Sequence, residues 1–229
     1  MKLFIFMLSR FISISSFSQT LDDKVKDSFC ECLTLAFETE ESISVKCFES
    51  ILSKHEVEIE AFLLKKAKEK NLKESPNFEE EAYQLGYNYL GKIFDDNQQY
   101  YFANCGKYFQ KISAARTKGF GNLFKVCEPG QVEKLTKYIG EFEYNTIFIR
   151  DRGKCYLAKE QYKLAMKDFD HLIAEDATDY ESLFLKAWVL EKTKRYNEAS
   201  EIYFQLYNVT NESRLKISGE VTKFMGSQK

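Results

Sequence analysis

Residues 146–212 read TIFIRDRGKCYLAKEQYKLAMKDFDHLIAEDATDYESLFLKAWVLEKTKRYNEASEIYFQLYNVTNE. Slid along itself by 34 positions, this stretch coincides at chemically matched places. Gly153 falls on Ala187, Tyr156 on Leu190, Tyr162 on Tyr196, Ala165 on Ala199, Phe169 on Tyr203 and Leu172 on Leu206. A fixed period of this length means stacked supersecondary units, and apolar steps of three and four predict helices. Gly153 and Ala187 are small where two helices of a hairpin would cross closely. Ala165 and Ala199 supply the facing small surface on the second helix, while Tyr156, Tyr162, Phe169 and their counterparts fill the space around the crossing.

The pattern resembles the tetratricopeptide repeat family over residues 146–212. The first copy reads Ile149-x2-Arg152-Gly153-x2-Tyr156, then Tyr162-x2-Ala165-x3-Phe169. The second reads Leu183-x2-Lys186-Ala187-x2-Leu190, then Tyr196-x2-Ala199-x3-Tyr203. The usual helix-ending proline is replaced by Ala177 and Asn211. The resemblance implies an α-α superhelix that binds proteins, its inner groove lined by the first helix of each hairpin. Arg150, Asp151, Lys154 and Leu157 would face that groove from the first repeat, and Phe184, Leu185, Trp188 and Glu191 from the second. An exposed Phe184–Trp188 shelf beside Arg150 and Lys154 would suit an extended or helical peptide with apolar anchors and an acidic group. The competing reading packs Trp188 beneath the final helix, near Val221 and Phe224. The family's lysine-and-asparagine clamp for a terminal carboxylate is not reproduced at these positions.

The register extends outward in weaker form. Leu135 and Tyr138 lie 34 before Phe169 and Leu172, inside a helical stretch Gln131 to Glu141. Ile217, Val221 and Phe224 follow Leu183, Ala187 and Leu190 at the same step, in a final helix that could cap the stack, with Ser213 as its N-cap. Two full repeats are fewer than such stacks normally need, so flanking helices are expected to complete the core.

Ahead of the repeats the chain also reads as helical, making the whole all-α. Its 229 residues contain only two prolines and ten glycines, which favours helices joined by short turns. Periodic stretches run from Leu21 to Phe37, with Asp22 or Asp23 as cap, and from Glu41 to Lys70. Two more run from Phe78 to Phe94 and from Gln98 to Arg116. Residues 20–116 form an expected cysteine-bearing helical domain, 117–130 a linker rich in glycine, and 131–229 the repeats with their capping helix.

Residues 1–18 carry a basic start, an apolar run interrupted by Arg10 and a small-residue Ser16-x-Ser18 site, the pattern of a secretory signal peptide. The run is too short to span a bilayer, and no transmembrane segment is expected after its removal. The six cysteines (Cys30, Cys32, Cys47, Cys105, Cys127 and Cys155) fit export if they form disulfides. Cys30 and Cys32 point to nearly opposite helix faces and cannot easily bond each other. Cys47 and Cys105 are their expected partners, and Cys127 that of Cys155. A metal site of Cys30, Cys32, Cys47 and His55 is disfavoured, because it lacks paired C-x2-C turns. Export is therefore expected, to a periplasm or the exterior, with a cytoplasmic location as the alternative.

Chemistry is sparse. There are two histidines, His55 and His171, and no glycine-rich phosphate cradle, nucleophile elbow or H-E-x-x-H helix. A formal net charge of −2 supplies no concentrated basic face for nucleic acid. No catalytic residue, metal or cofactor is expected. The sequence favours a protein- or peptide-binding scaffold. Thiol-redox or other enzymatic activity in the N-terminal domain, and a self-associating structural role, remain the alternatives.

Overall fold

The structure, a computed structural model, describes residues 20–35, 43–69, 78–121, 127–142 and 145–228. The expected signal peptide lies outside these residues. Among them are twelve helices and no strand, so the fold is all-α. The chain divides into two compact units, one of residues 1–32 and 41–96, the other of residues 33–40 and 97–229. The division thus falls at Asp96 and Asn97, ahead of the expected linker at 117–130.

The first unit comprises α1 (Leu21–Leu35) as far as Cys32, α2 (Ile43–Lys54), α3 (Glu56–Glu69) and α4 (Phe78–Asp96). Thr20 caps α1 in place of Asp22 or Asp23. Its Oγ accepts from the Asp23 N–H at 3.2 Å and donates to the Asp23 carboxylate at 2.8 Å, closing an orphan donor of the first turn. Val25, Phe29, Cys47, Phe48, Ile51 and Leu90 are buried. Phe29 meets Phe48 edge-on at 5.2 Å and Phe94 at 5.3 Å. The helix expected from Glu41 to Lys70 is broken at His55, which separates α2 from α3.

The second unit comprises α5 (Gln98–Asn104), α6 (Tyr108–Gly121), α7 (Gln131–Glu141), α8 (Thr146–Ala158), α9 (Tyr162–Glu175), α10 (Tyr180–Lys192), α11 (Tyr196–Thr210) and α12 (Ser213–Ser227). Gly106, at φ +54°, splits the helix expected over 98–116 into α5 and α6. Such a left-handed conformation is easiest for glycine. Each helix from α7 to α12 packs on the next, and α5 and α6 pack on α12. Ser213 is the first residue of α12, whose N-cap position is held by Glu212 without a side-chain cap.

The 34-residue step is visible in the backbone. Glu160 and Lys194 both adopt left-handed conformations, at φ 58° and 62°. Gln161 N–H donates to the Tyr156 carbonyl at 2.8 Å, and Arg195 N–H to that of Leu190 at 2.8 Å. Glu160 N–H reaches Leu157 and Lys194 N–H reaches Glu191, both at 3.0 Å. Both joints are helix C-terminal turns that recover otherwise orphaned carbonyls. Inside the hairpins, a Cβ added at Gly153 would lie 2.5 Å from the Phe169 ring, so only glycine fits this crossing undisturbed. Ala165, Ala187 and Ala199 are wholly buried at the other close positions.

Candidate functional site

The residues that the sequence offers as a peptide groove lie on α8 and α10. Four of its charged residues are tied together or to their neighbours. Arg150 Nη2 donates to Asp179 at 2.7 Å, and Arg150 Nε lies 3.6 Å from Glu181. Lys154 Nζ lies 2.6 Å from Glu181 and 3.8 Å from Asp151. Asp179 is also the N-cap of α10, accepting from the Ser182 N–H at 3.0 Å. Burial alone would raise the Asp179 carboxyl, but hydrogen bonds from Ser182 and Arg150 outweigh it and hold the carboxyl below its ordinary value.

The rest of the expected groove is filled from within the chain. Phe120 of α6 meets Phe184 edge-on at 4.9 Å and Trp188 edge-on at 4.9 Å. Trp188 is 3% exposed and Phe184 only half-buried, so the exposed Phe184–Trp188 shelf is not formed. Phe224 of the final helix packs against Phe109 at 4.7 Å and Phe102 at 5.6 Å. One turn before Phe120, Arg116 forks onto Glu191. Its Nη1 donates at 2.8 Å, and its Nη2 donates to the other carboxylate oxygen. Both side chains are buried, at 4% and 7% exposure. The Arg116 guanidinium also lies 5.4 Å from the Phe120 ring centre and 5.6 Å from that of Trp188, within cation–π range. Burial, reinforced by the nearby Glu191, pushes the Tyr203 phenol well above its ordinary pKa.

Arg116 and Phe120 share a face because they are four residues apart on one helix. Helix α6 thus runs on to Gly121, five residues past the expected end at Arg116 and into the expected linker. The Arg116-x3-Phe120 spacing was the available signal for a longer helix.

Beside α6 a cavity of about 700 Å³ stays open. Its walls include Ile112 and Gly119 of α6, Phe184 and Leu185 of α10, Leu206 of α11 and Leu215 of α12.

The cysteines form disulfides rather than a thiol centre. Cys32 bonds Cys47, with Cα atoms 5.7 Å apart, and Cys127 bonds Cys155, with Cα atoms 4.9 Å apart. Cys30 and Cys105 are disulfide-bonded too. The metal alternative built on Cys30, Cys32, Cys47 and His55 therefore has no thiolates to offer. His55 instead links α1 to the α2–α3 turn. Its Nε2 lies 2.8 Å from Ser28 Oγ and its Nδ1 lies 3.3 Å from Glu58. Both Ser28 and His55 are buried, so the chain of bonds satisfies polar groups inside the unit. His171 is exposed, 3.1 Å from Glu175 on its own helix. No helix among the described residues is long and apolar enough to cross a membrane. Fully bonded cysteines indicate an oxidising compartment.

No protein-family model, curated protein or solved structure matches the chain.

Proposed function

We propose that the chain is an exported, non-enzymatic scaffold that binds a protein or peptide partner through tetratricopeptide-like repeats over residues 146–212. The observation carrying this reading is α6 itself. The inner surface of the stack accepts a helix through one charged fork, Arg116 to Glu191, and one aromatic plug, Phe120 against Phe184 and Trp188. A surface of this chemistry is suited to holding amphipathic segments. The matched joints at Glu160 and Lys194 further support a repeat architecture. An external partner would then meet the charged first-helix face around Asp151 and Arg150, since Trp188 and Glu191 are already engaged. The disulfides support export.

A photo-crosslinking residue at Asp151, expressed in the native host, tests the binding role. A discrete protein adduct that is lost with Arg150→Glu, at unchanged helicity, is the expected result. Absence of any protein adduct would overturn the reading. Intact-mass measurement of the native protein tests export, with a mature chain beginning near Gln19 expected.

Self-association is favoured by a separate observation. Phe142 and Ile147 are 51% and 63% exposed at the start of the repeats, and Phe142 belongs to an aromatic cluster with Tyr138 and Phe148. Light scattering of wild type against Phe142→Ser tests it: a wild-type dimer that the substitution dissolves is the expected result for this second role.

A further inference from the structure

The open cavity beside α6 has a definite chemical preference. At about 700 Å³ it falls inside the range of small-molecule sites. Its walls are chiefly aliphatic and aromatic, from Ile112, Phe184, Leu185, Leu206, Leu215 and Ile217. Five charged residues share the lining, and each of the three cations has a carboxylate partner within the protein, the Arg116 Nε alone being left without a hydrogen bond. Arg116 is forked onto Glu191, Lys154 Nζ lies 2.6 Å from Glu181, and Arg214 Nε lies 2.5 Å from Glu212. Thr210 is also engaged, donating to the Leu206 carbonyl at 2.9 Å and accepting from the Glu212 N–H at 3.3 Å.

An entering carboxylate or ammonium would surrender its full hydration and meet charges already paired, whereas the one unbonded donor, Arg116 Nε, can be met by a neutral hydroxyl. An aliphatic chain surrenders nothing and gains with every apolar area it covers. We propose that this cavity binds an uncharged aliphatic ligand, such as a fatty alcohol or the uncharged chain of a neutral lipid. The assignment depends on the cavity alone and not on the partner-binding reading above.

Gly119 provides the means to test it. A Cβ added there meets nothing within 4 Å, although the residue lines the cavity and sits within α6. Gly119→Leu therefore adds a large side chain at the cavity wall without a backbone clash, and it replaces a poor helix former by a good one. Gly140→Leu, on α7 and equally unobstructed, is the control for an added exposed leucine.

The full-length protein is titrated with the uncharged fluorophore N-phenyl-1-naphthylamine, then with decanol, decanoate or decylamine as competitor. Saturable fluorescence is expected, with decanol displacing the probe at least tenfold more effectively than either charged analogue. Gly119→Leu is expected to weaken probe binding at least tenfold while melting no lower than wild type, and Gly140→Leu to leave it unchanged. Ile217→Trp serves as a second cavity-filling variant should Gly119→Leu fold poorly. No saturable probe binding, displacement led by decanoate or decylamine, or binding indifferent to both filling variants would overturn the proposal. So would displacement by an apolar helical peptide but not by decanol. Retention of the Asp151 protein adduct in Gly119→Leu separates the fate of this site from that of the scaffold role.

Discussion

Arg116 and Glu191 stand 75 positions apart in the chain and meet as a buried two-pronged ion pair. Their union ties α6 to α10. Removing one partner strands the other charge out of water. Arg116→Ala or Glu191→Ala should therefore each cost about 3–5 kcal/mol. Replacing both with apolar residues, as in Arg116→Met with Glu191→Leu, should restore most of that loss. Urea unfolding of the two single variants and the double variant measures this directly.

Trp188→Ala should unfold the second unit more readily, by about 3–5 kcal/mol, because the indole is buried against Phe120. Thermal melting checks the prediction. A Trp188→Ala protein with wild-type stability would mean that Phe120 does not occupy this position in solution.

Gly153→Ala should destabilise by about 1–3 kcal/mol through overpacking, since its Cβ would press on the Phe169 ring. Gly153→Ala with Phe169→Leu should recover part of the loss. Melting temperatures of the single and paired variants are the readout.

The carboxyl of Asp179 is held below its ordinary value of 3.8 by Ser182 and Arg150. A group with a depressed folded pKa stabilises the protein above its unfolded pKa, and that contribution is lost as pH falls through the folded pKa. Wild type should thus lose stability below about pH 3.8 faster than Asp179→Asn, which keeps a capping oxygen but no charge. Urea midpoints for the two proteins from pH 6 to pH 2 should converge at the acid end.

Opening the Cys32–Cys47 disulfide, which spans 15 residues, should cost about 3 kcal/mol. The Cys127–Cys155 bridge spans 28 and should cost roughly 0.6 kcal/mol more. Paired Cys→Ser variants, compared by denaturant unfolding, check both values.

What could be read from the sequence follows from how far its signals reach along the chain. Gly153 and Phe169 lie within one hairpin, so their complementarity repeats at Ala187 and Tyr203 and shows in the bare periodicity. The all-α class follows from the same local signals. Phe120 sits in a glycine-containing stretch, and its partners Phe184 and Trp188 are more than sixty positions away, so no local pattern announces their contact. The sequence offers Trp188 and Glu191 as groove residues, but gives no sign of their contacts with α6. The breaks at Gly106 and His55 were missed because the apolar period runs through both without interruption. At Gly106 only the backbone conformation reveals the turn, and at His55 only the inward bond to Ser28 does.

The paired joints at Glu160 and Lys194 have a genetic consequence. Both close with hydrogen bonds from their own hairpin, at equivalent backbone positions. An in-frame duplication of 34 codons with breakpoints anywhere inside this region therefore begins and ends at equivalent structural points, and the chain can lengthen by whole hairpins.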